Sequence, residues 1–465
     1  MGIRPKMKKE WIFMKLIYNV DDKPKFGQLI ILAIQQLLAI MAATLVVPVI
    51  IGNGMSPAAA LFGAGVGTLV YVLCTLKRSP VFLGSSFAFL GSMAAAFAGG
   101  VSMSLGYLGL IIGAAFAGLV YVVIAIVVKL AGVKWIDKLM PPVVIGPTVA
   151  IIGLSLAGNA VGDILKGNVI VNEAQAAAPF ICLLCGLVTL FTVMACSTYG
   201  KKTLKLIPFI IGIIAGYIFA GILTIIGNVA GIDAIKVLDI SAFQNLVKDG
   251  ITLSTFVTVT EFTFQTAFKG VGELNAGYIA QIAVAYVPVA FVVFAEHIAD
   301  HKNISSIIEK ELLKDPGLHR TLLGDGIGSA VGAFFGGCPN TTYGESVACV
   351  AITKNASVAT IITAAIGAII ISFVAPFVAF VNSIPSCVMG GVCMALYGFI
   401  AVSGLKMFKN LDLEDNKNLF VVSVILIAGI GGLSLTFGAV TLTSIACALI
   451  LGILANLFLS IKKGN

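Results

Sequence analysis

Long apolar segments recur along almost the whole chain and are separated by short polar stretches. Each segment is close to the roughly 20 residues that a helix needs to cross a bilayer. The pattern predicts fourteen crossings with no large soluble domain between them. They are residues 28–49, 58–76, 80–99, 105–128, 141–160, 175–196, 206–228, 276–299, 320–337, 338–354, 357–380, 384–403, 418–436 and 438–461.

The third and tenth segments are interrupted in the same way. PVFLGSSFAFLGS begins at Pro80 and PNTTYGESVACVAIT at Pro339; each runs through a short extended stretch, passes a glycine (Gly84 or Gly344) and continues as a short apolar helix. Each is the third segment of its half if the chain divides seven and seven, and an odd number of crossings per repeat makes the repeats inverted. Such paired interruptions are typical of a substrate site between inverted repeats. The alternative is that Gly and Pro only kink ordinary helices.

The chain is therefore predicted to be an all-α polytopic membrane protein in five parts. The N-terminal part is basic but has no apolar core followed by a small-residue cleavage site, so it is interpreted as a lead-in and not as a signal peptide. The parts are a cytoplasmic lead-in (1–27), a first seven-helix repeat (28–228), an extracellular elaboration (229–271), a second seven-helix repeat (272–461) and a cytoplasmic C-terminus (462–465).

Composition and charge agree with a membrane location. Apolar residues make up 59% of the chain and charged residues 11%, against roughly 25% charged residues in a soluble domain. With the N-terminus inside, all but four of the 29 Lys and Arg residues fall on one side of the predicted membrane. This asymmetry supports an even number of crossings and places both termini in the cytoplasm of a plasma-membrane protein. The net charge of +8 is thus explained by the loops and gives no reason to expect nucleic acid as a partner.

Three carboxylates stand out because they fall inside predicted crossings. Glu296 and Asp300 are four residues apart near the end of the eighth segment, so they share a helical face, and Glu345 lies at the break in the tenth. A carboxylate at bilayer depth costs roughly 2.5–3.5 kcal/mol on insertion scales, so each is a candidate functional residue. For Glu296 and Asp300 the alternative is a charge that reaches the cytoplasmic interface.

Two histidines beside these acids raise a different possibility. His297 and His301 have the i, i+4 spacing of helical metal ligands, which would suit a membrane metalloenzyme together with Glu296. Glu296 does not lie between the two histidines as the base of an HExxH motif does, and His301 adjoins Lys302 at the predicted water boundary. The expectation is therefore no metal and no enzymatic activity.

Several long motifs in one order resemble the nucleobase-ascorbate transporter family, also called nucleobase:cation symporters, and most closely its uracil permease branch. The resemblance covers essentially the whole chain. It is carried by LGSSFAF from Leu83, FAEH from Phe294, DPGLHR from Asp315, PNTTYGE from Pro339, and MGGV with LYG between Met389 and Gly398.

The resemblance implies fourteen crossings in two inverted seven-helix repeats, divided into a core domain and a gate domain. It also implies short strands in the broken third and tenth segments, substrate bound between these segments and the eighth, a homodimer, and elevator-like movement of core against gate. No cofactor is implied beyond the coupling proton.

Matched position by position, the resemblance assigns seven substrate-binding residues. Glu345 and Glu296 match the carboxylates that bind the base, Gly344 and Phe87 match positions whose backbone amides face it, and three others match positions that line the pocket. Those three are Ala43, Tyr343 and Tyr397.

The chain departs from the family pattern at three positions close to these residues. Ser346 stands where Asn is expected, Ala348 where Gly is expected, and Asp300 where the uracil permeases are expected to carry His. Glu345 stands where purine-transporting members typically have Gln, which favours uracil. The chemistry agrees, because uracil offers N–H donors to carboxylates and carbonyl acceptors to backbone amides.

The sequence therefore predicts proton-coupled uracil import, with Glu296 and Asp300 as the proton-coupling residues. One alternative is a purine (xanthine or uric acid) symporter of the same family. Another is an anion transporter of related fold, which would prefer a basic or neutral site between the half-helices. The membrane metalloenzyme is the remote alternative.

Overall fold

The computed structural model describes residues 16–132, 135, 140–201, 203–407, 411–437 and 440–460. Most of the predicted lead-in and the predicted C-terminal part, 462–465, lie outside these described residues. The α-helices are α1 Phe26–Ile51, α2 Pro57–Cys74, α3 Leu90–Ala96, α4 Met103–Ala131, α5 Pro142–Ser155, α6 Ala157–Asp163, α7 Pro179–Tyr199, α8 Thr203–Leu206, α9 Pro208–Ala230, α10 Ser241–Val247, α11 Leu253–Phe256, α12 Thr263–Ala267, α13 Ala276–Ile308, α14 Leu318–Gly336, α15 Gly344–Thr353, α16 Val358–Ile371, α17 Ala375–Ser383, α18 Ser386–Met407, α19 Asn416–Ile430 and α20 Ser444–Leu459. The strands are β1 Leu83–Ser85, β2 Ile170–Val171, β3 Ala174–Gln175, β4 Asn340–Thr342, β5 Leu435–Phe437 and β6 Val440–Leu442.

Eight helices in the described part of the chain are long and apolar enough to cross a membrane. They are α1, α2, α4, α5 continued by α6, α7, α9, α13 and α18. Five shorter apolar helices, of 10–17 residues, accompany them: Phe87–Ala96, α15, α16, α19 and α20. The chain is therefore a multi-pass helical membrane protein, and the count of fourteen crossings stays a prediction.

Three predicted segments in the second half have different boundaries in the structure. The eleventh, 357–380, is two helices, because α16 ends at Ile371 and α17 starts again with Pro376 in its first turn, where a missing N–H does no harm. The thirteenth ends at Ile430 and the fourteenth begins at Ser444, since an antiparallel pair of strands, β5 and β6, stands between them.

The eighth segment extends further than its sequence predicts. Helix α13 runs for 33 residues to Ile308, nine residues past the predicted end at 299. His301, placed at the water boundary by the sequence pattern, is fully buried within this helix. That expectation was wrong, because α13 continues as a helix beyond the polar residues that follow Glu296 and packs its buried face against other helices there.

Residues 229–271 form short helical pieces. Helices α10, α11 and α12 lie here, together with 3-10 turns at Asp233–Ile235 and Phe268–Glu273. The bridge between Val257 and Val374 ties this stretch to the start of α17. The extracellular placement of the segment stays a prediction.

Helix α14 packs against both α2 and α4 through glycines. A Cβ added at Gly67 of α2 would lie 2.6 Å from the Gly328 carbonyl oxygen, and one added at Gly118 of α4 would lie 2.7 Å from that of Gly326. Small residues allow helix backbones in membranes to approach this closely, so that dispersion contacts replace the hydrophobic effect. The close packing brings the polar side chains of α14 next to α13.

We expect Gly118→Ala to lower the free energy of unfolding by roughly 1–3 kcal/mol, because the new methyl group overpacks a backbone contact. The measurement is thermal denaturation of the purified protein in detergent. Gly162→Ala in α6 is the matched control, since a Cβ there meets no atom within 4 Å. Equal melting temperatures for the two variants would contradict the close packing of α4 on α14.

Candidate functional site

The two interrupted segments meet as an antiparallel strand pair. Strand β1 pairs with β4 in the register Leu83 with Thr342, Gly84 with Thr341 and Ser85 with Asn340. The prediction of short strands in the third and tenth segments is confirmed. Backbone that is neither helical nor paired would be costly at membrane depth, and the two strands satisfy each other there.

Each strand leads directly into a short helix. After β1 the chain forms a 3-10 turn, Phe87–Phe89, that continues as α3; after β4 it forms α15 from Gly344. The N-cap residue of α15, Tyr343, makes no side-chain hydrogen bond to the first amides of the helix. Free amides and the positive end of the helix dipole suit an acceptor group of a ligand.

Carboxylates from α13 and α15 converge at this point. Thr342 Oγ1 donates to Asp300 Oδ2 at 2.9 Å, and a Cβ added at Gly344 would lie 3.8 Å from Asp300 Oδ1. Glu296 lies one turn before Asp300 on α13, and Glu345 follows Gly344 in the first turn of α15, so the three negative charges repel one another here. All three acids predicted from the sequence are therefore in one place, partly exposed at the junction of α13 with the half-helix α15.

A tyrosine in the tenth segment ties the two half-helices together. Tyr343 is 4% exposed and donates its hydroxyl to the Ser85 carbonyl at 2.8 Å. A Cβ added at Gly84 would collide with the Tyr343 ring and would lie 2.9 Å from Thr44 Oγ1 on α1, so this position requires glycine. Ala43, 2% exposed, is the neighbour of Thr44. The structure thus brings Tyr343 to the junction and places Ala43 on the adjoining helix.

An aromatic contact links the first half-helix to α18. The rings of Phe87 and Tyr397 meet edge to face with their centroids 6.0 Å apart. Both side chains are buried. This contact brings together one residue from the first predicted repeat and one from the second.

A carboxylate that the sequence analysis missed lies behind the site. Asp325 of α14 is fully buried, and its Oδ2 is 2.7 Å from His297 Nδ1. The other ring nitrogen of His297 is 3.0 Å from Thr321 Oγ1, one turn earlier on α14. A signal was available, because Asp325 is an acid in the middle of the ninth predicted crossing and should have been treated like Glu345.

The second histidine of α13 is held by α2. His301 Nδ1 donates to the His297 carbonyl at 2.8 Å, since a carbonyl can only accept. In a neutral imidazole Nε2 then accepts from the Tyr71 hydroxyl, 2.7 Å away, and the Tyr71 oxygen accepts from Ser79 at 2.6 Å. With both ring nitrogens of each histidine in hydrogen bonds, the arrangement gives no support to the metal alternative. Among the described residues no three His, Cys, Asp or Glu side chains are grouped to hold a metal ion.

Ser346, one of the departures from the family pattern, joins three segments. Its Oγ is 2.6 Å from Gln36 Nε2 of α1 and accepts from the Phe82 backbone amide at 2.9 Å. Both side chains are buried. The serine hydroxyl therefore holds the first turn of α15 against α1 and against the entry to β1.

We expect Tyr71→Phe to lower the free energy of unfolding by about 1–3 kcal/mol, because His301 Nε2 and the Ser79 hydroxyl would be left buried without their partner. The measurement is again thermal denaturation in detergent. Tyr199→Phe is the control, since Tyr199 is 81% exposed. A Tyr71→Phe variant as stable as Tyr199→Phe would show that this hydrogen-bond chain does not hold α13.

Comparison with known proteins places the chain in a family. A family model described as "Permease family" (Xan_ur_permease) matches residues 27–437. The chain is 36% identical over 449 residues to a protein named uracil permease from Bacillus caldolyticus, and the aligned region covers 96% of this chain and 95% of that protein. It is 33% identical over 437 residues to the uracil permease of Escherichia coli (strain K12), covering 94% and 92%.

Solved structures of transporters have the same kind of fold. The transmembrane domain of the cyanobacterial bicarbonate transporter BicA matches with a TM-score of 0.61 at 14% identity, over 94% of this chain and 100% of that one. The murine anion transporter Slc26a9 in its inward-facing state matches with a TM-score of 0.60 at 11% identity, over 98% and 73%. At these identities the likeness concerns the fold alone. The family match and the permease relatives together show that the chain belongs to this permease family.

Proposed function

We propose that the protein imports uracil across the plasma membrane together with a proton. The observation that carries this proposal is the position of Glu345, which lies in the first turn of the half-helix α15 and near Glu296 of α13. Support comes from relatives over 90% of the chain that are named uracil permease.

The site has the groups that a pyrimidine base requires. Uracil has N–H donors that alternate with carbonyl acceptors around the ring. Glu345 and Glu296 accept from the donors, and the backbone amides of Gly344 and Phe87 donate to the carbonyl groups. Charge-assisted hydrogen bonds of this kind are roughly twice as strong as neutral ones.

The walls of the proposed pocket exclude water from these hydrogen bonds. Phe87 and Tyr397 meet edge to face, and the Tyr343 hydroxyl is bonded to the Ser85 carbonyl. Ala43 leaves space on α1 because its side chain is small. A hydrogen bond formed in such a low-dielectric site is stronger than one exposed to water.

Glu296 and Asp300 are proposed to carry the coupling proton. They lie one turn apart on α13, and the negative charges of Asp300 and Glu345 repel that of Glu296. Thr342 donates to Asp300, so loading of this carboxylate is linked to β4 and hence to the substrate site. Ionisable groups inside the membrane that contact a substrate site commonly serve as proton relays.

Transport is proposed to follow from fourteen crossings in two inverted repeats that form a core and a gate domain. The strand pair and the half-helices belong to the core, and α18 to the gate, so the Phe87–Tyr397 contact lies across their boundary. Elevator-like movement of the core against the gate of a homodimer would then carry the base across the bilayer. The proposed orientation has both termini in the cytoplasm.

The alternatives predict different site chemistry. The two anion transporters with similar folds do not decide the substrate, because one fold supports many functions. An anion would be repelled by the three carboxylates at the half-helix site. A purine symporter of the same family remains the second candidate, and Glu345, in place of the Gln typical of those members, disfavours it.

We expect Glu345→Gln to weaken uracil binding about 100-fold, because the amide keeps only one acceptor oxygen and a charged hydrogen bond would become a neutral one. The measurement is equilibrium binding of radiolabelled uracil to purified protein, with xanthine and uric acid as competitors. Glu311→Gln, in an exposed loop, is the matched control. Unchanged uracil affinity in Glu345→Gln would refute the substrate assignment, and tighter xanthine binding by the native chain would favour the purine symporter.

We expect Glu296→Gln to abolish uptake of uracil against its gradient, because the variant lacks the proposed proton-carrying group. The measurement is uptake into proteoliposomes with and without an imposed proton gradient. Glu309→Gln, an exposed acid at the end of α13, should accumulate uracil like the native protein and lose accumulation with a protonophore. Native accumulation that ignores the protonophore, together with full accumulation by Glu296→Gln, would exclude coupling at this residue.

A further inference from the structure

An apolar groove lies between α1 and α16, away from the half-helix site. It has a volume of about 230 Å³ and is lined by Ile30, Ile34, Leu37, Thr363, Gly367 and Ile370, among others. Ile34 and Ile370 are 50% and 61% exposed. The Thr363 hydroxyl donates to the Ala359 carbonyl in its own helix, so it adds no free polar group to the groove.

Three free cations stand at the end of the molecule where both helices begin. Lys23 and Lys25 precede α1 and Lys354 precedes α16; all three are exposed, and none forms an ion pair within the described residues. Ile17 N–H donates to the Lys354 carbonyl at 2.8 Å and Val358 N–H to the Val20 carbonyl at 3.1 Å. These bonds hold the two helix starts, and therefore the three lysines, side by side.

The acids nearest to these lysines are engaged with other groups. Asp21 accepts from Lys310 Nζ at 3.3 Å, and Asp22 Oδ2 accepts from the backbone and side-chain nitrogens of Asn19 at 2.7 and 3.2 Å. Asn19 is neutral, so Asp22 keeps its negative charge, but three lysines stand against this one acid. The end of the groove is therefore positively charged, while its length is apolar.

We propose that this groove binds an anionic phospholipid. An acyl chain lies between α1 and α16, and the phosphate of the headgroup is held by Lys23, Lys25 and Lys354. Basic pockets between membrane helices, and basic segments beside them, recognise anionic headgroups in this way. Phe26, 80% exposed, begins α1 directly after Lys25, and in this proposal its ring lies beside the headgroup. The occupant is a lipid because the groove opens on the exposed face of α1, which is long and apolar enough to cross a membrane, and of the shorter apolar helix α16.

The test uses the purified full chain in detergent and native mass spectrometry. Phosphatidylglycerol and phosphatidylcholine with identical acyl chains are titrated separately. We expect the native protein to bind phosphatidylglycerol more tightly than phosphatidylcholine. In the triple variant Lys23→Gln/Lys25→Gln/Lys354→Gln, the affinity for phosphatidylglycerol should fall about fivefold for each lysine removed. The control Lys77→Gln/Lys129→Gln/Lys406→Gln removes as many exposed lysines elsewhere and should keep the preference. A triple variant with the native preference would overturn the proposal.

Two further arms separate the lipid from other occupants. In the first, glycerol phosphate is added as a competitor. If it displaces bound phosphatidylglycerol at the same concentration as free phosphatidylglycerol does, the site binds a free anion and the proposal fails.

In the second, Gly367→Leu fills the groove near Leu37, because a Cβ added at Gly367 would lie 3.5 Å from Leu37 Cδ2. We expect it to weaken binding of both lipids equally. If it instead changes only the mass of the solubilised oligomer, a second copy of the chain covers the groove and the lipid proposal is wrong. Uracil binding, measured in parallel, should be unchanged in every variant, which keeps this test separate from that of the transport function.

Discussion

Backbone hydrogen bonding inside the bilayer is the constraint on which the site depends. A substrate site between half-helices requires the chain to leave the helical conformation at membrane depth, where each unpaired amide or carbonyl costs several kcal/mol. The pairing of β1 with β4 meets that requirement and sets the positions of Phe87 and Glu345 at the same time. Tyr343 and Ser346 strengthen the junction with hydrogen bonds that reach across it. The stability of the junction and the proposed ligand contact therefore depend on the same few residues.

Helix α13 supplies the remaining part of the site, and three neighbours fix its rotation. His297 contacts Asp325 on α14, His301 contacts Tyr71 on α2, and Asp300 is bonded to Thr342 of β4. Because successive residues of a helix point about 100° apart, two histidines held on one side direct Glu296 and Asp300 toward the half-helices. Buried polar networks of this kind are costly when any member is unpaired, so they select one arrangement of the helices. The acids can then be presented to a ligand without a loss of order in the surrounding helices.

The likeness to a bicarbonate transporter and to an anion transporter concerns the fold and does not determine the substrate. A scaffold of this kind positions two half-helix ends, which by themselves favour negative charge. In this chain Glu345 occupies the first turn of α15, so a carboxylate stands at a helix end that by itself favours negative charge. Because one fold supports many functions, side chains such as this one, and not the arrangement of helices, distinguish substrate classes.

Much of this molecule could be predicted from sequence because membrane costs act locally. The apolar segments, the breaks at Gly84 and Gly344 and the isolated carboxylates are each visible within a few residues, and the strands predicted at the breaks are present. The predicted end of α13 and the prediction of one undivided eleventh segment were wrong. Neighbouring elements determine where α13 ends, and a proline lies where the second helix of the eleventh segment begins. The partners of the buried polar groups could not be predicted, because Gln36 and Ser346 are 310 positions apart and Tyr71 and His301 are 230 apart. The sequence by itself determined where polar atoms enter the membrane; only the tertiary structure decided which atoms satisfy them, because hydrogen-bond partners depend on distance in space and not along the chain.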